Sequence, residues 1–353
     1  MALALALVLV FAGVAPAAWA SSGRGALDLA WQAWEAGDPD AATYWAEQAG
    51  GDPEGLCLRA LEAVRHNSPD LVRYYLDRVP KAGPLTFRAA LALGWVQCYL
   101  GDPVAAASTF AWARGSRDPW VRAASLEGEA HAWLLAGKAN KAWELALQFA
   151  RTKPQSAGAW VLLGDVALAL RKAELAADMY RQALMLSPGH PRSMAGLGDA
   201  MLLSGNPRQA AACYEAVLSQ GRLDPRSAAS ALAGTAALLL ARGQKEEALE
   251  VADVLAKILA PTATPPHLHA GSNGYLPASS LGDAVTRYVL PPSLAEAARY
   301  CRQSLSVALN QAEPEDQLFH DRASILRAPL APSWEILISE VDRVAWGFRG
   351  TFR

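Results

Sequence analysis

A chain in which paired amphipathic helices return every 34 residues has few folds open to it, and this sequence carries that period. The clearest unit runs from Ala157 to Pro188. In its first half Trp160, Leu163, Gly164 and Ala167 fall at i, i+3, i+4 and i+7, one apolar stripe at helical spacing. In its second half Ala176, Tyr180, Ala183 and Leu184 repeat that spacing, and Pro188 ends the helix. Gly164 and Ala176 are small enough to let two backbones approach, with Trp160 and Tyr180 filling the space beside them. Stepping 34 residues forward from Gly164, Ala176 and Tyr180 reaches Gly198, Ala210 and Tyr214. The same step back from Ala176 and Pro188 reaches Ala142 and Pro154. One hairpin cannot bury both its apolar faces, so neighbours at this period predict a stack of hairpins sharing one core.

About seven hairpins are read between Gly23 and Ala260. The first is short (Leu27, Ala30 and Ala33, then Ala42, Ala46 and Ala49), and the second, Pro53 to Pro84, is degenerate. The third carries Gly94, Ala106 and Phe110, the fourth Leu126, Ala130, Ala142 and Ala146, and the seventh Leu232, Ala236, Leu239 and Ala248. Local chemistry agrees with the period. Gly37-Asp38-Pro39, Gly101-Asp102-Pro103 and Gly205-Asn206-Pro207 each supply a glycine for the left-handed turn, an acceptor to cap the next helix and a proline for its first turn.

The central unit resembles a tetratricopeptide repeat. Trp160, Leu163, Gly164, Ala176, Tyr180, Ala183 and Pro188 stand at the family's signature positions, with Ala167 in place of the usual Tyr. The resemblance implies an all-α, right-handed solenoid over residues 23–260 whose first helices line a concave groove for an extended or helical peptide. Carried over by register, the groove's central row reads Trp31, Leu61, Trp95, His131, Asp165, Asp199 and Ala237. Trp34, Val64, Cys98, Leu134, Leu168 and Leu202 fall on a flanking row, with Tyr99 beside it. The resulting expectation is a protein-binding groove with aromatic anchors at Trp31, Trp34, Trp95 and Tyr99 and a polar middle at His131, Asp165 and Asp199. Such a surface suits a partner with one or two large apolar anchors and a basic or polar centre. The competing reading places these tryptophans between repeats as core. Arg24, Arg88 and Arg192 share a groove-edge position, but the Asn and Lys set with which some family members grip a C-terminal carboxylate is absent.

The two ends read differently. Residues 1–20 hold an apolar run, Ala2 to Val14, followed by Pro16 and the small-x-small pattern Ala18-Trp19-Ala20. This predicts a signal peptide cut after Ala20, or else an uncleaved membrane anchor; the missing basic residue before the run weakens the orientation signal. Either puts the bulk of the chain outside the cytoplasm, periplasmic or secreted. Residues 261–292 are crowded with proline and glycine and read as a linker, with His267 and His269 as solvated loop residues. Residues 293–353 carry two amphipathic helices, Ser293 to Gln311 and Ser333 to Trp346, expected to cap the last hairpin.

Chemistry is sparse. A net charge of −2 gives no reason to expect nucleic acid or an anionic membrane surface as partner. Cys57, Cys98, Cys213 and Cys301 lie far apart without metal-type spacing and read as small buried hydrophobes. No phosphate loop, nucleophile elbow or zincin helix occurs, and no cofactor is implied. The expected function is an exported, non-enzymatic scaffold joining a protein or peptide partner to a bacterial envelope assembly. The rival expectation gives the C-terminal region a docking or cell-wall-related activity that the solenoid positions.

Overall fold

The computed structural model describes residues 23–36, 38–65, 68–80, 85–220, 224–259, 292–309, 311, 322, 325 and 330–346. The expected signal segment, the linker up to residue 291 with its two histidines, and Gly37 lie outside the described residues. Among the described residues there are sixteen helices and no strand. The first three hairpins are α1 (Gly23–Ala36) with α2 (Pro39–Gln48), α3 (Pro53–Arg65) with α4 (Pro69–Leu76), and α5 (Phe87–Tyr99) with α6 (Pro103–Ala113). The next two are α7 (Pro119–Leu135) with α8 (Ala139–Thr152), and α9 (Ala157–Ala169) with α10 (Ala173–Leu186). The last two are α11 (Pro191–Leu203) with α12 (Pro207–Leu218), and α13 (Pro225–Ala241) with α14 (Lys245–Leu259). The two helices of each hairpin pack on each other, and the second packs on the first helix of the next hairpin except after α4, where α3 packs on α5 instead; this is the consecutive stacking of a solenoid.

Helix starts and turns follow local chemistry. Asp38, Asp102, Asp118 and Asp224 each accept a hydrogen bond from a backbone N–H in the first turn of the helix that follows, and proline opens all four helices. Asn206 holds the same place without a side-chain bond. Gly101 and Gly205 adopt φ of 83° and 74°, the left-handed turn expected of them. In the fifth hairpin Arg171 takes this position at φ 59°, which costs a side-chain-bearing residue roughly 1–2 kcal/mol.

The backbones are locked together by aromatic rings from the second helices. Phe110 lies between Gly94 and Gly128, Tyr180 between Gly164 and Gly196, and Tyr214 between Gly198 and Gly234. A methyl group at Gly94 would fall 2.7 Å from the Phe110 ring, and one at Gly164 2.7 Å from Tyr180; those at Gly128, Gly196 and Gly234 would fall closer still. Each ring therefore holds its own hairpin and the next one at fixed spacing, and any side chain at these glycines pushes two repeats apart. The cysteines form no disulfide: Cys57, Cys98 and Cys301 are buried and Cys213 is half-buried.

Two further helices close the end of the stack. α15 (Pro292–Ala308) packs on α14, and α16 (Pro332–Trp346) packs on α13 and α15 and reaches α11. Trp334, Leu337, Ile338 and Val341 on α16 are fully buried against Leu249, Leu255 and Leu305, which covers the apolar face a final repeat otherwise exposes. Tyr300 on α15 donates to Asp342 on α16, and Arg322 pairs with the same carboxylate at 2.8 Å. No described helix is long and apolar enough to cross a membrane.

Candidate functional site

The polar middle of the solenoid is built from α9, α11 and α13, the first helices of three successive hairpins. Asp165 on α9 accepts from the Tyr180 hydroxyl at 2.6 Å and from Arg192 at 2.9 Å; Arg226 stands 3.8 Å away. Burial alone would raise the Asp165 carboxyl, but the two guanidinium groups and the Tyr180 hydroxyl outweigh it and hold the group below the ordinary carboxylate range. Asp199 occupies the equivalent place on α11. It accepts from Tyr214 at 2.8 Å and from Ser230 at 2.9 Å, with the Ser333 hydroxyl of α16 beside it. Burial dominates here and pushes its carboxyl up to about 6, against the pull of these hydroxyls and of the Arg192 charge.

The arginines are unequally matched. Arg192 is held by its bonded carboxylate. Burial and the neighbouring Arg192 charge depress Arg226 to about 10, against the attraction of Asp165 and Asp224. No hydrogen bond reaches the Arg226 guanidinium from the described residues, although its side chain is only 16% exposed. At the N-terminal end the analogous arginine is better served: Arg88 bridges Asp28 at 3.0 Å and Asp118 at 3.4 Å, tying together the starts of three hairpins.

Arg192 and Arg226 open into a cleft of about 100 Å³ lined by the first helices of the hairpins. Trp95, His131, Leu134, Asp165 and Leu168 line it from α5, α7 and α9. Leu294, the segment Leu330–Pro332 and Trp334 line it as well, so the C-terminal helices supply part of the wall. A smaller cleft adjoins it, lined by Leu134, Leu168, Arg171 and Glu335; Arg171 and Glu335 are ion-paired across its mouth.

The predicted groove residues divide. The cleft brings Trp95, His131 and Asp165 together, and Asp199 lies behind its Ser230 wall. Trp31, Trp34 and Trp95 are 2%, 3% and 1% exposed, so these aromatic rings are packed between repeats and offer almost no surface. Trp31 donates to Glu54 at 2.7 Å and meets Trp120 edge-on; Trp95 contacts Phe110 and His131. Tyr99 is half-buried, and burial raises its hydroxyl pKa. The two acids expected to face a basic partner are both engaged by the protein's own hydroxyls and, at Asp165, by arginine. What remains without a hydrogen-bonded carboxylate among the described residues is Arg226, which the groove rows read from the sequence did not contain. The signal was there, because the Pro-Arg pair at 191–192 returns at 225–226.

Comparison with known proteins agrees with this geometry. Residues 167–234 match the family model described as tetratricopeptide repeat. Among solved structures, a thermophilic tetratricopeptide-repeat protein of Thermus thermophilus, TTC0263, is 22% identical over 49% of this chain and 91% of its own, with a TM-score of 0.43. PilF of Pseudomonas aeruginosa is 17% identical over 58% of this chain and 91% of its own, with a TM-score of 0.41. MamA is 14% identical over 46% of this chain and 95% of its own, with a TM-score of 0.37. No curated protein sequence matches the chain. The matched segment covers α10, α11 and α12 whole with parts of α9 and α13, so this stretch carries tetratricopeptide repeats, and the hairpins before it continue the same stack. The fold is that of a protein-interaction scaffold.

Proposed function

We propose that this protein is an exported, non-enzymatic scaffold of a bacterial envelope assembly that holds a peptide or helix of a partner protein along its concave face. The observation that carries the reading is the inner cleft. Its wall is contributed by α5, α7, α9, α11 and α13 and by the C-terminal segment, so a ligand seated there contacts several repeats at once. Leu134, Leu168 and Leu330 supply apolar area, and the buried arginines supply polar orientation, the division of labour of a recognition site. A preformed stack also lowers the ordering cost of binding. Export rests on the apolar run and the Ala18-Trp19-Ala20 pattern that precede the first hairpin.

The test is site-specific photocrosslinking in cells. A benzophenone side chain replacing Leu134 in the cleft is expected to capture a partner that the same group at Met185, which is 70% exposed, does not. Equal capture from both positions would place the interaction elsewhere. Fractionation of the same cells, with intact mass measurement, is expected to find the chain in the envelope beginning at Ser21; a cytoplasmic full-length species defeats the export part alone.

A further inference from the structure

The 34-residue register assigns each inner arginine a carboxylate. Arg192 follows Asp165 by 27 residues, and Arg226 follows Asp199 by the same 27. The first pair forms as the register dictates, with Arg192 bonded to Asp165 at 2.9 Å. The second does not. Asp199 is bonded by Tyr214 and Ser230, with Ser333 of α16 at the remaining side, and Arg226 stands instead at the edge of its neighbour's carboxylate, 3.8 Å from Asp165. Two guanidinium groups thus share one carboxylate at the wall of a cleft with room for a ligand side chain. Removing a guanidinium from water without hydrogen-bonding it is costly, and an incoming oxyanion relieves that cost.

From this geometry we infer that the cleft is a seat for the acidic side chain of a partner, an Asp or Glu flanked by apolar residues, received by Arg226 with Arg192 beside it. The chain displays the same grammar at the adjoining mouth. There Trp334 is buried against the inner face while the next residue, Glu335, pairs with Arg171. A segment that presents an apolar residue and an acid side by side is what this surface already accepts from its own C-terminal helix. The inference rests on the scaffold reading and gives its partner a charge: an acidic centre, where the sequence alone had suggested a basic or polar one. Leu168 and Leu330 line the same cleft as the arginines, so a purely hydrophilic acidic tract would leave its apolar surface uncovered.

Three probes test it on the full-length protein by calorimetric titration: acetyl-Leu-Glu-Leu-amide, its Gln counterpart, and N-acetyl-leucine, whose only charge is a terminal carboxylate. The Glu peptide is expected to bind at least tenfold more tightly than the Gln peptide, with an advantage that shrinks as salt rises. Arg226→Gln is expected to abolish that advantage while keeping the melting temperature within about 2 °C, because Asp165 retains Arg192. Should Arg226→Gln fail to fold, the Glu-to-Gln ratio and its salt dependence on the unaltered protein decide alone. Equal binding of the Glu and Gln peptides, or no binding of either, overturns the inference, and a preference for N-acetyl-leucine overturns the assignment to a side chain. Capture from Leu134 together with charge-blind peptide binding would sink the acidic seat and leave the scaffold. Selective Glu binding without cellular capture would do the reverse.

Discussion

Lowering the pH from 7.5 to 5 is expected to make this protein more stable, against the usual behaviour of a chain whose acids are ion-paired. The cause is Asp199, which is 1% exposed and has its carboxyl pushed up to about 6 from an ordinary value of 3.8. A carboxyl that binds its proton more tightly folded than unfolded adds stability that is complete below the unfolded value and is lost as pH rises through the folded one. The shift of about two units corresponds to roughly 3 kcal/mol lost by pH 7.5, at about 1.4 kcal/mol per unit. At pH 5 about half of that penalty has been relieved, a gain of about 1.5 kcal/mol, or a few degrees in melting temperature. Asp165 does not mask the effect. Its folded value is depressed, so its contribution is lost only at pH below the ordinary carboxylate range. Burial raises Glu129 and Glu335 as well, and both tilt the curve in the same direction. The assay is therefore a comparison: urea or thermal unfolding followed by circular dichroism at both pH values, on the native chain and on Asp199→Asn. The native chain gains stability on acidification and the variant loses most of that gain. Equal pH dependence in the two proteins would refute the reasoning, as would a fall in stability of the native chain over this window.

Three other outcomes follow from the packing. Trp31→Ala and Trp95→Ala are each expected to cost about 3–5 kcal/mol in unfolding experiments, because both rings are core; an unchanged melt would return them to the surface. Gly196→Ala is expected to cost about 1–3 kcal/mol, since the added methyl runs into the Tyr180 ring and disturbs its bond to Asp165, whereas Gly51→Ala, where a methyl meets nothing, should change stability by less than about 1 kcal/mol. Arg171→Gly relieves the left-handed backbone but removes the partner of Glu335, so global stability should move by less than about 1 kcal/mol while hydrogen exchange in the first turns of α16 accelerates.

The repeat was legible because it is written in short-range terms. A 34-residue period, glycines opposite aromatic rings and Asp-Pro helix starts are each set by a few neighbouring residues, and together they determined the solenoid and placed its hairpins. The fate of the tryptophans was not legible, since helical spacing gives a face but not what covers it, and only packed repeats show Trp31 and Trp95 enclosed. The site was half legible. Register put His131, Asp165 and Asp199 on one row; the structure lines a cleft with His131 and Asp165 and encloses Asp199 behind Ser230. Which arginine each acid would take depended on α16, a helix more than 100 residues away in sequence from Ser230, whose Ser333 meets that residue beside Asp199. Local sequence determined the elements and their period because those depend on neighbouring residues. The tertiary structure alone decided the charge left facing the cleft, because that depends on which distant side chains claim each buried carboxylate first.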